Sequence, residues 1–271
     1  MSKVAAIQMA SGPNVDANLH EAGRLIEQAA IAGAELIVLP ENFAIMGIEE
    51  EDKVAIRESE GKGPIQKFLM EQARLHKVWL VGGTVPLECP DPKKIFAACM
   101  VYDNKGDCVE RYDKIHLFDV DIVDTGESYK ESETIEYGDS SLKVIDSPFG
   151  KIGLAVCYDL RFPELFRGLL DLGAQVVVLP AAFTAATGLA HWESLLRARA
   201  IENLIYVIAS AQGGYHINGR ATFGDSMVVD PWGTILNRIQ HGTGMAIADV
   251  NIDYLESRRN TFPCIKNRRL K

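Results

Sequence analysis

The sequence predicts an α/β fold in which two sheets pack face to face with helices outside, and two observations carry that expectation. Short apolar runs at residues 4–7, 36–39, 78–81, 152–157, 176–179 and 204–209 alternate with amphipathic stretches. Runs this short and rich in β-branched residues read as buried strands, and strand alternating with helix is the α/β pattern. The chain also echoes itself: GAELIVLP at 33–40 returns as GAQVVVLP at 173–180, KVAAIQM at 3–9 as KIGLAVC at 151–157, and CMVYDNKGD at 99–107 as SMVVDPWGT at 226–234. Three matched pairs in one order indicate a pseudo-two-fold internal duplication, each half running strand, helix, strand, helix, strand, hairpin. Two long copies are not a solenoid.

Pro64 and Pro163 each suit the first turn of a helix, where a missing N–H costs nothing. Behind them, Ile65, Phe68 and Leu69, then Leu165, Phe166, Leu169 and Leu170, recur at the spacing of a buried helical stripe. HWESLLRARAIEN at 191–203 places Trp192, Leu195, Leu196 and Ala200 on one helical face. Trp192 is therefore expected in the core, and Arg197, Arg199 and Glu202 in helix–helix or subunit contacts. Asp-Asn-Lys-Gly and Asp-Pro-Trp-Gly are turn sequences of the kind that join hairpin strands. No Pro/Gly/Ser-rich linker separates the halves, so residues 1–250 are expected to form one domain, with 251–271 a tail packed on it or on a partner subunit.

Of the 271 residues, 47 % are hydrophobic and 24 % charged, an ordinary globular composition that excludes disorder, collagen and coiled coil. Lys and Arg number 28 against 37 Asp and Glu, and 28 − 37 = −9 argues against a nucleic-acid partner, which needs a basic face. The one basic cluster, at 258–271, reads as a solvated or packed terminus. No stretch approaches the ~18 apolar residues of a membrane span. Gln8 interrupts the early apolar run, so no leader peptide is expected. The five cysteines are scattered with no C-x-x-C, which suggests neither a disulfide framework nor a zinc site. Free thiols, a cytoplasmic setting and no cofactor or metal are the expectations.

In open α/β sheets, function gathers where strands end. The run 36–40 leads straight into Glu41, and 152–156 into Cys157, placing a carboxylate and a thiol at what read as corresponding strand ends of two units. Taken alone, Glu41 could be a surface acid and Cys157 a small core residue. Yet Cys157 opens a dense polar string, 157–164, that leads into a helix whose N-terminus would lower a thiol pKa. Of the six histidines, none obviously follows a strand; His116 lies nearest a polar cluster, RYDKIHLFDVD. Lys114 in that cluster could be a solvated lysine, or an ammonium that stabilises an oxyanion.

LPENF around Glu41, YDKIHLFDVD around Lys114 and GLAVCYDLRFPEL around Cys157 resemble the three signature segments of the nitrilase superfamily of carbon–nitrogen hydrolases, in order and along nearly the whole chain. The resemblance implies an α-β-β-α four-layer sandwich, assembled as a homodimer or higher homo-oligomer. It also implies that Cys157 is the nucleophile, Glu41 the general base and acid, and Lys114 the oxyanion stabiliser together with the backbone N–H of Tyr158. A second, supporting glutamate is implied some two dozen residues before the cysteine; Glu131 fits that position, with Glu127 as the alternative. Asp113 departs from the usual residue before the lysine, and Asp225 stands where a histidine is usual.

Within the superfamily, HLFDVD, CYDLRFPEL, HWESLLRARAIE and GDSMVVDPWG are similar to segments of the branch acting on deaminated glutathione. That likeness implies a small anionic 2-oxo acid amide as substrate, with 2-oxoglutarate and cysteinylglycine as products. The alternatives are an omega-amidase acting on 2-oxoglutaramate, a carbamoylase or nitrilase, and a non-catalytic scaffold. An anionic substrate needs local cations in so acidic a chain, and Arg161 is the expected carboxylate partner unless Asp159 or Glu164 takes it. Phe183 and Thr184, following the strand that ends near Pro180, are placed to line the pocket.

Overall fold

The computed structural model describes residues 1–123 and 126–270. Its first half runs β1 (Ser2–Gln8), α1 (Val15–Ile31), β2 (Leu36–Val38), the short α2 (Asp52–Ala55), α3 (Pro64–His76), β3 (Trp79–Val81), β4 (Val85–Glu88), β5 (Ile95–Tyr102) and β6 (Cys108–Asp113). An antiparallel pair, β7 (Asp119–Ile122) and β8 (Glu127–Lys130), follows. The second half runs β9 (Val144–Ser147), β10 (Gly150–Leu154), α4 (Pro163–Asp171), β11 (Val176–Ala181), α5 (Ala185–Asn203), β12 (Tyr206–Ala211), β13 (Gly213–Tyr215), β14 (Ala221–Phe223), β15 (Ser226–Val229) and β16 (Ile235–Ile239). β17 (Gly244–Val250) and α6 (Ile252–Thr261) complete it.

The first sheet has the order β17-β1-β2-β3-β5-β4, with β6 also paired to β5; the second has the order β16-β15-β12-β11-β10-β9. β1, β2 and β3 are parallel neighbours, as are β10, β11 and β12, and in each sheet the third of these meets an antiparallel hairpin strand, β5 or β15. The three sequence echoes therefore fall on equivalent elements: β1 with β10, β2 with β11, β5 with β15.

Residue chemistry repeats with them. Gly33 and Gly173 end their helices at φ +89 and +96, conformations that glycine adopts without strain, and Lys3 or Lys151 lies across each. Glu35 N–H donates to Lys3 O at 2.8 Å, and Gln175 N–H to Lys151 O at 2.9 Å. Each repeat thus locks its helix exit to the start of its own first strand.

Alternation along the strands builds the layers. Val4, Ala6, Leu36 and Val38 share one core with Ile152, Leu154, Val176 and Val178 of the second sheet. Their neighbours Ala5, Ile7, Ile37 and Leu39 pack beneath Leu25 and Ile26 of α1 and Leu69 of α3. Phe166 and Leu169 of α4 and Trp192 and Leu196 of α5 cover the second sheet. The result is the four-layer α-β-β-α sandwich. α6 packs onto the second half: Leu255 is buried, and Arg259 donates to Leu204 O at 3.1 Å and Ala174 O at 2.8 Å. No helix among the described residues is long and apolar enough to cross a membrane.

Some boundaries differ from the sequence reading. The strand expected over 152–157 ends at Leu154, because Cys157 turns into the left-handed region at φ 45 and opens a 3₁₀ turn, Cys157–Arg161. The helix expected from 191 begins at Ala185, where Thr184 caps it by accepting the N–H of Thr187 at 3.3 Å. Glu41 and Cys157 follow the C-terminal ends of parallel strands as expected, but the strands are not equivalent: β2 corresponds to β11, and β10 to β1.

Gly83 marks a close backbone approach beneath Glu41. It has φ +55, and a Cβ there would lie 2.1 Å from the carbonyl oxygen of Pro40, whereas Gly219, at φ +83, has nothing within 4 Å. Gly219→Ala should cost only the left-handed penalty of about 1 kcal/mol, and Gly83→Ala roughly 3 kcal/mol or more, as read from urea denaturation.

Candidate active site

Glu41 is held by the chain on both sides. Leu39 N–H donates to Val81 O at 2.9 Å, Asn42 N–H donates to Thr84 Oγ1 at 2.9 Å, and Gln212 Nε2 donates to the Glu41 carbonyl at 3.1 Å. Lys114 directly follows β6, where its N–H donates to Ala97 O at 3.1 Å and its carbonyl accepts from Gly138 N–H at 3.0 Å. Its side chain is completely buried. Nζ donates to Glu41 Oε1 at 2.8 Å and to the two carboxylate oxygens of Glu131 at 2.9 and 2.7 Å. Those three contacts match the three donors of an ammonium. Glu131 opens a 3₁₀ turn, Glu131–Glu133, and also accepts the Phe118 N–H at 2.7 Å. Glu127 instead accepts from the Tyr129 hydroxyl at 3.1 Å. Of the two glutamates left open by the sequence, Glu131 is the one that meets the lysine.

The electrostatics follow from burial. Desolvation pushes the Lys114 pKa down, but Glu131 and Glu41 outweigh it and hold the ammonium well above the usual lysine value. Desolvation pushes Glu131 up, and the Lys114 charge with its hydrogen bond brings it below the ordinary carboxylate value. For Cys157 the balance reverses: burial, then the Glu41 charge, raise the thiol well above its usual value, against a smaller lowering by Lys114. The expectation of a thiol acidified by a helix N-terminus is therefore corrected. α4 starts only at Pro163, and the turn between lies in a buried, carboxylate-rich setting. The Cys157 thiol is protonated at neutral pH, so an attack by sulfur requires a base.

Asp159 fixes the turn that carries Cys157. Fully buried, it accepts Val156 N–H at 2.8 Å and the Tyr112 hydroxyl at 2.7 Å through Oδ2, while Oδ1 lies 2.7 Å from His116 Nδ1. His116 stacks on Phe162, with ring centroids 3.6 Å apart. His116 is thus placed in this positioning network. Asp113 forms a bidentate pair with Arg111, both contacts at 2.9 Å, and so is neutralised away from Lys114.

A small pocket is lined by Cys157, Tyr158, Arg161, Phe183, Thr184 and Arg220, among others, and so gathers every residue the sequence assigned to substrate contact. Ala182 N–H points at Cys157 Sγ, 3.4 Å away. Arg161 is paired with neither Asp159 nor Glu164 among the described residues. Its guanidinium lies 5.1 Å from the Phe183 ring centre, and Nη1 is 3.2 Å from His191 Nδ1. Asp225 does not line this pocket; it is buried and doubly bonded to Arg238, which also reaches Glu193 at 3.0 Å. Arg199 makes a helix-to-turn contact, donating from Nε to Leu160 O at 3.0 Å, and Trp192 is fully buried as expected.

A wider, open cleft of about 680 Å³ adjoins the pocket and shares Phe118, Glu131 and Arg220 with it. The sequence reading missed Arg220 because it follows an ordinary Asn-Gly turn with no strand-end signal. Phe118, Tyr129 and Thr187 were missed for similar reasons. Among the described residues, no group of three His, Cys, Asp or Glu is placed to hold a metal ion.

Residues 3–260 match the model of the carbon-nitrogen hydrolase family. The chain is 44 % identical to the deaminated glutathione amidase of Synechocystis sp., over 97 % of each chain. Among solved structures it resembles the Caenorhabditis elegans NitFhit protein at a TM-score of 0.92 and 36 % identity, covering 99 % of this chain and 65 % of that one. It resembles Saccharomyces cerevisiae Nit3, a member of branch 10 of the nitrilase superfamily, at a TM-score of 0.88 and 32 % identity, covering 99 % and 97 %.

Removing the buried ammonium should expose what it neutralises. Lys114→Met leaves two carboxylates in a closed site, and stability at pH 7 should fall by roughly 3–5 kcal/mol. In the parent protein the depressed Glu131 pKa stabilises the fold above the unfolded-state carboxylate pKa, and that contribution is lost as pH falls through the folded value. In the variant the sign inverts, because burial alone raises the glutamates, so the deficit should shrink as pH is lowered from 8 to 5. Urea denaturation of both proteins across that range checks the sign.

Proposed function

The chain belongs to the carbon–nitrogen hydrolase family, and from that premise we propose that it is a cysteine-dependent amidase acting on a small 2-oxo acid amide, with deaminated glutathione as the substrate. The observation that carries the mechanism is a buried thiol on a turn beside a buried Glu41–Lys114–Glu131 cluster. In this reading Glu41 takes the proton from Cys157 as Sγ attacks the amide carbon. The oxyanion is held by the Tyr158 N–H and by the Lys114 ammonium, which releases one of its two contacts to Glu131 to reach it. Glu41 then returns the proton to the amine nitrogen as the C–N bond breaks, leaving a thioester on Cys157. Water, deprotonated by Glu41, attacks the thioester; the C–S bond breaks, and the thiolate regains its proton. The products are 2-oxoglutarate and cysteinylglycine.

Glu131 anchors Lys114 through both carboxylate oxygens, so it acts as a positioning residue. Arg161, with no carboxylate partner among the described residues, takes the carboxylate of the 2-oxo acid. Phe183 and Thr184 wall the acyl group. The likeness to the Synechocystis amidase supports this choice of substrate. A homo-oligomer belongs to the same reading, supported by the apolar surface that Leu189, Ile201 and Trp232 expose along α5 and its adjoining turn. So does a cytoplasmic setting, supported by five free cysteines.

Kinetics with paired substrates test it. Deaminated glutathione should be preferred over 2-oxoglutaramate by more than about tenfold in kcat/KM, ~1.4 kcal/mol of transition-state binding; a smaller ratio favours the omega-amidase alternative. Cys157→Ala should abolish turnover, and equal rates in variant and parent would sink the mechanism.

Glu41→Gln separates base from neighbour. Turnover should drop about 10³-fold. Because the Glu41 charge is one of the groups that raise the thiol, alkylation of Cys157 by iodoacetamide should begin at lower pH in the variant than in the parent. Slower alkylation at every pH would contradict the electrostatic assignment.

A further inference from the structure

The small pocket that holds Cys157 shares its boundary with the open cleft, and one cation stands on that boundary. Arg220 lines both spaces, whereas Cys157 and Arg161 line only the inner one. Its guanidinium is fixed in place: Nη2 donates to Ala182 O at 2.9 Å, and the Tyr129 ring lies beneath it with its centre 5.0 Å away. Its Nε is buried with no hydrogen-bond partner, and among the described residues no carboxylate forms an ion pair with it. Of the other acids in the cleft, Glu131 is engaged with Lys114, Glu127 accepts from the Tyr129 hydroxyl, and Glu50 is paired with Lys53 at 2.5 Å, its charge also reaching Arg220. Glu49, Glu51 and Glu133 are exposed at the mouth, where water screens them. A held arginine with unused donors is suited to a planar carboxylate.

We propose that Arg220 binds the carboxylate of the departing amine, so that the cleft is a leaving-group subsite for an amino-acid or dipeptide amine carrying a free carboxyl end. This rests on the amidase reading and extends it. Arg161 and Arg220 then divide the two ends of a dianionic substrate, one holding the acyl half through to the thioester and the other holding the half that leaves first.

Three substrates sharing the 2-oxoglutaryl group test the assignment: 2-oxoglutaramate, 2-oxoglutaryl-cysteinylglycine, and the latter with its terminal carboxyl capped as an amide. The parent protein should favour the free acid over the capped form by about 10–100-fold in kcat/KM, the worth of a charge-assisted hydrogen bond. Arg220→Met should collapse that ratio to below about threefold, and Arg220→Lys should restore part of it. Arg220 also touches the backbone that faces Cys157, but a purely structural role would lower both rates together and leave the ratio unchanged, which overturns the proposal. A ratio near one in the parent, with 2-oxoglutaramate still hydrolysed, overturns it while the amidase reading stands. No hydrolysis of any of the three overturns both.

Discussion

Lys114 carries a positive charge to a place closed to solvent, and two carboxylates from distant parts of the chain meet it there. Such a cluster gains little net stability, because desolvating three charged groups offsets most of their attraction. What it gives is placement. The loop after β2, the end of β6 and the turn at Glu131 are pinned to one nitrogen, which fixes their mutual geometry more tightly than apolar contacts would. Burial first, and then the Glu41 charge, also hold up the pKa of the neighbouring sulfur, against a smaller lowering by Lys114. A second negative charge is disfavoured there, by depth and by the carboxylate beside it.

The duplicated plan supplies a symmetric frame, and the candidate site residues break its symmetry. Where the first half ends a strand in Leu-Pro-Glu41, the second has Leu-Pro-Ala181; where the second ends in Val156-Cys157, the first has Gln8-Met9. Ala181 and Met9 are simply buried. The vacated acidic position is still useful, because the next residue, Ala182, turns its N–H toward the Cys157 sulfur. Asp159 joins the sheets at the same point, linking the hydroxyl of Tyr112 on β6 to the turn after β10. The candidate site therefore sits where unlike strand ends of the two repeats face each other.

Much of this was legible in the sequence, for physical reasons. Apolar runs and their echoes report burial directly, so the layers and the repeat could be read, and residues placed just after strands, Glu41 and Cys157, carried a positional signal. The polar stretch ESYKESETIE has no periodicity, so nothing local distinguishes Glu131 from Glu127; only the distance to Lys114 does. The direction of the thiol shift also escaped the sequence, because it depends on depth and on two carboxylates brought in by folding. Arg220 and Asp225 make the same point in opposite senses. One arrives at the pocket from an ordinary hairpin turn, and the other is buried and taken up by Arg238.

The placement of β17 bears on the order in which the molecule can be made. β17 lies against β1 along its whole length, with Ser2 opposite Val250, whereas the second sheet is assembled entirely from the contiguous segment β9 to β16. During synthesis from the N-terminus, the second sheet has all its strands before β17 emerges. β1 keeps an open hydrogen-bonding edge until β17 follows, which is the kind of exposed edge that invites wrong pairing. The sheet that bears Glu41 and Lys114 is thus begun before the second sheet and closed after it.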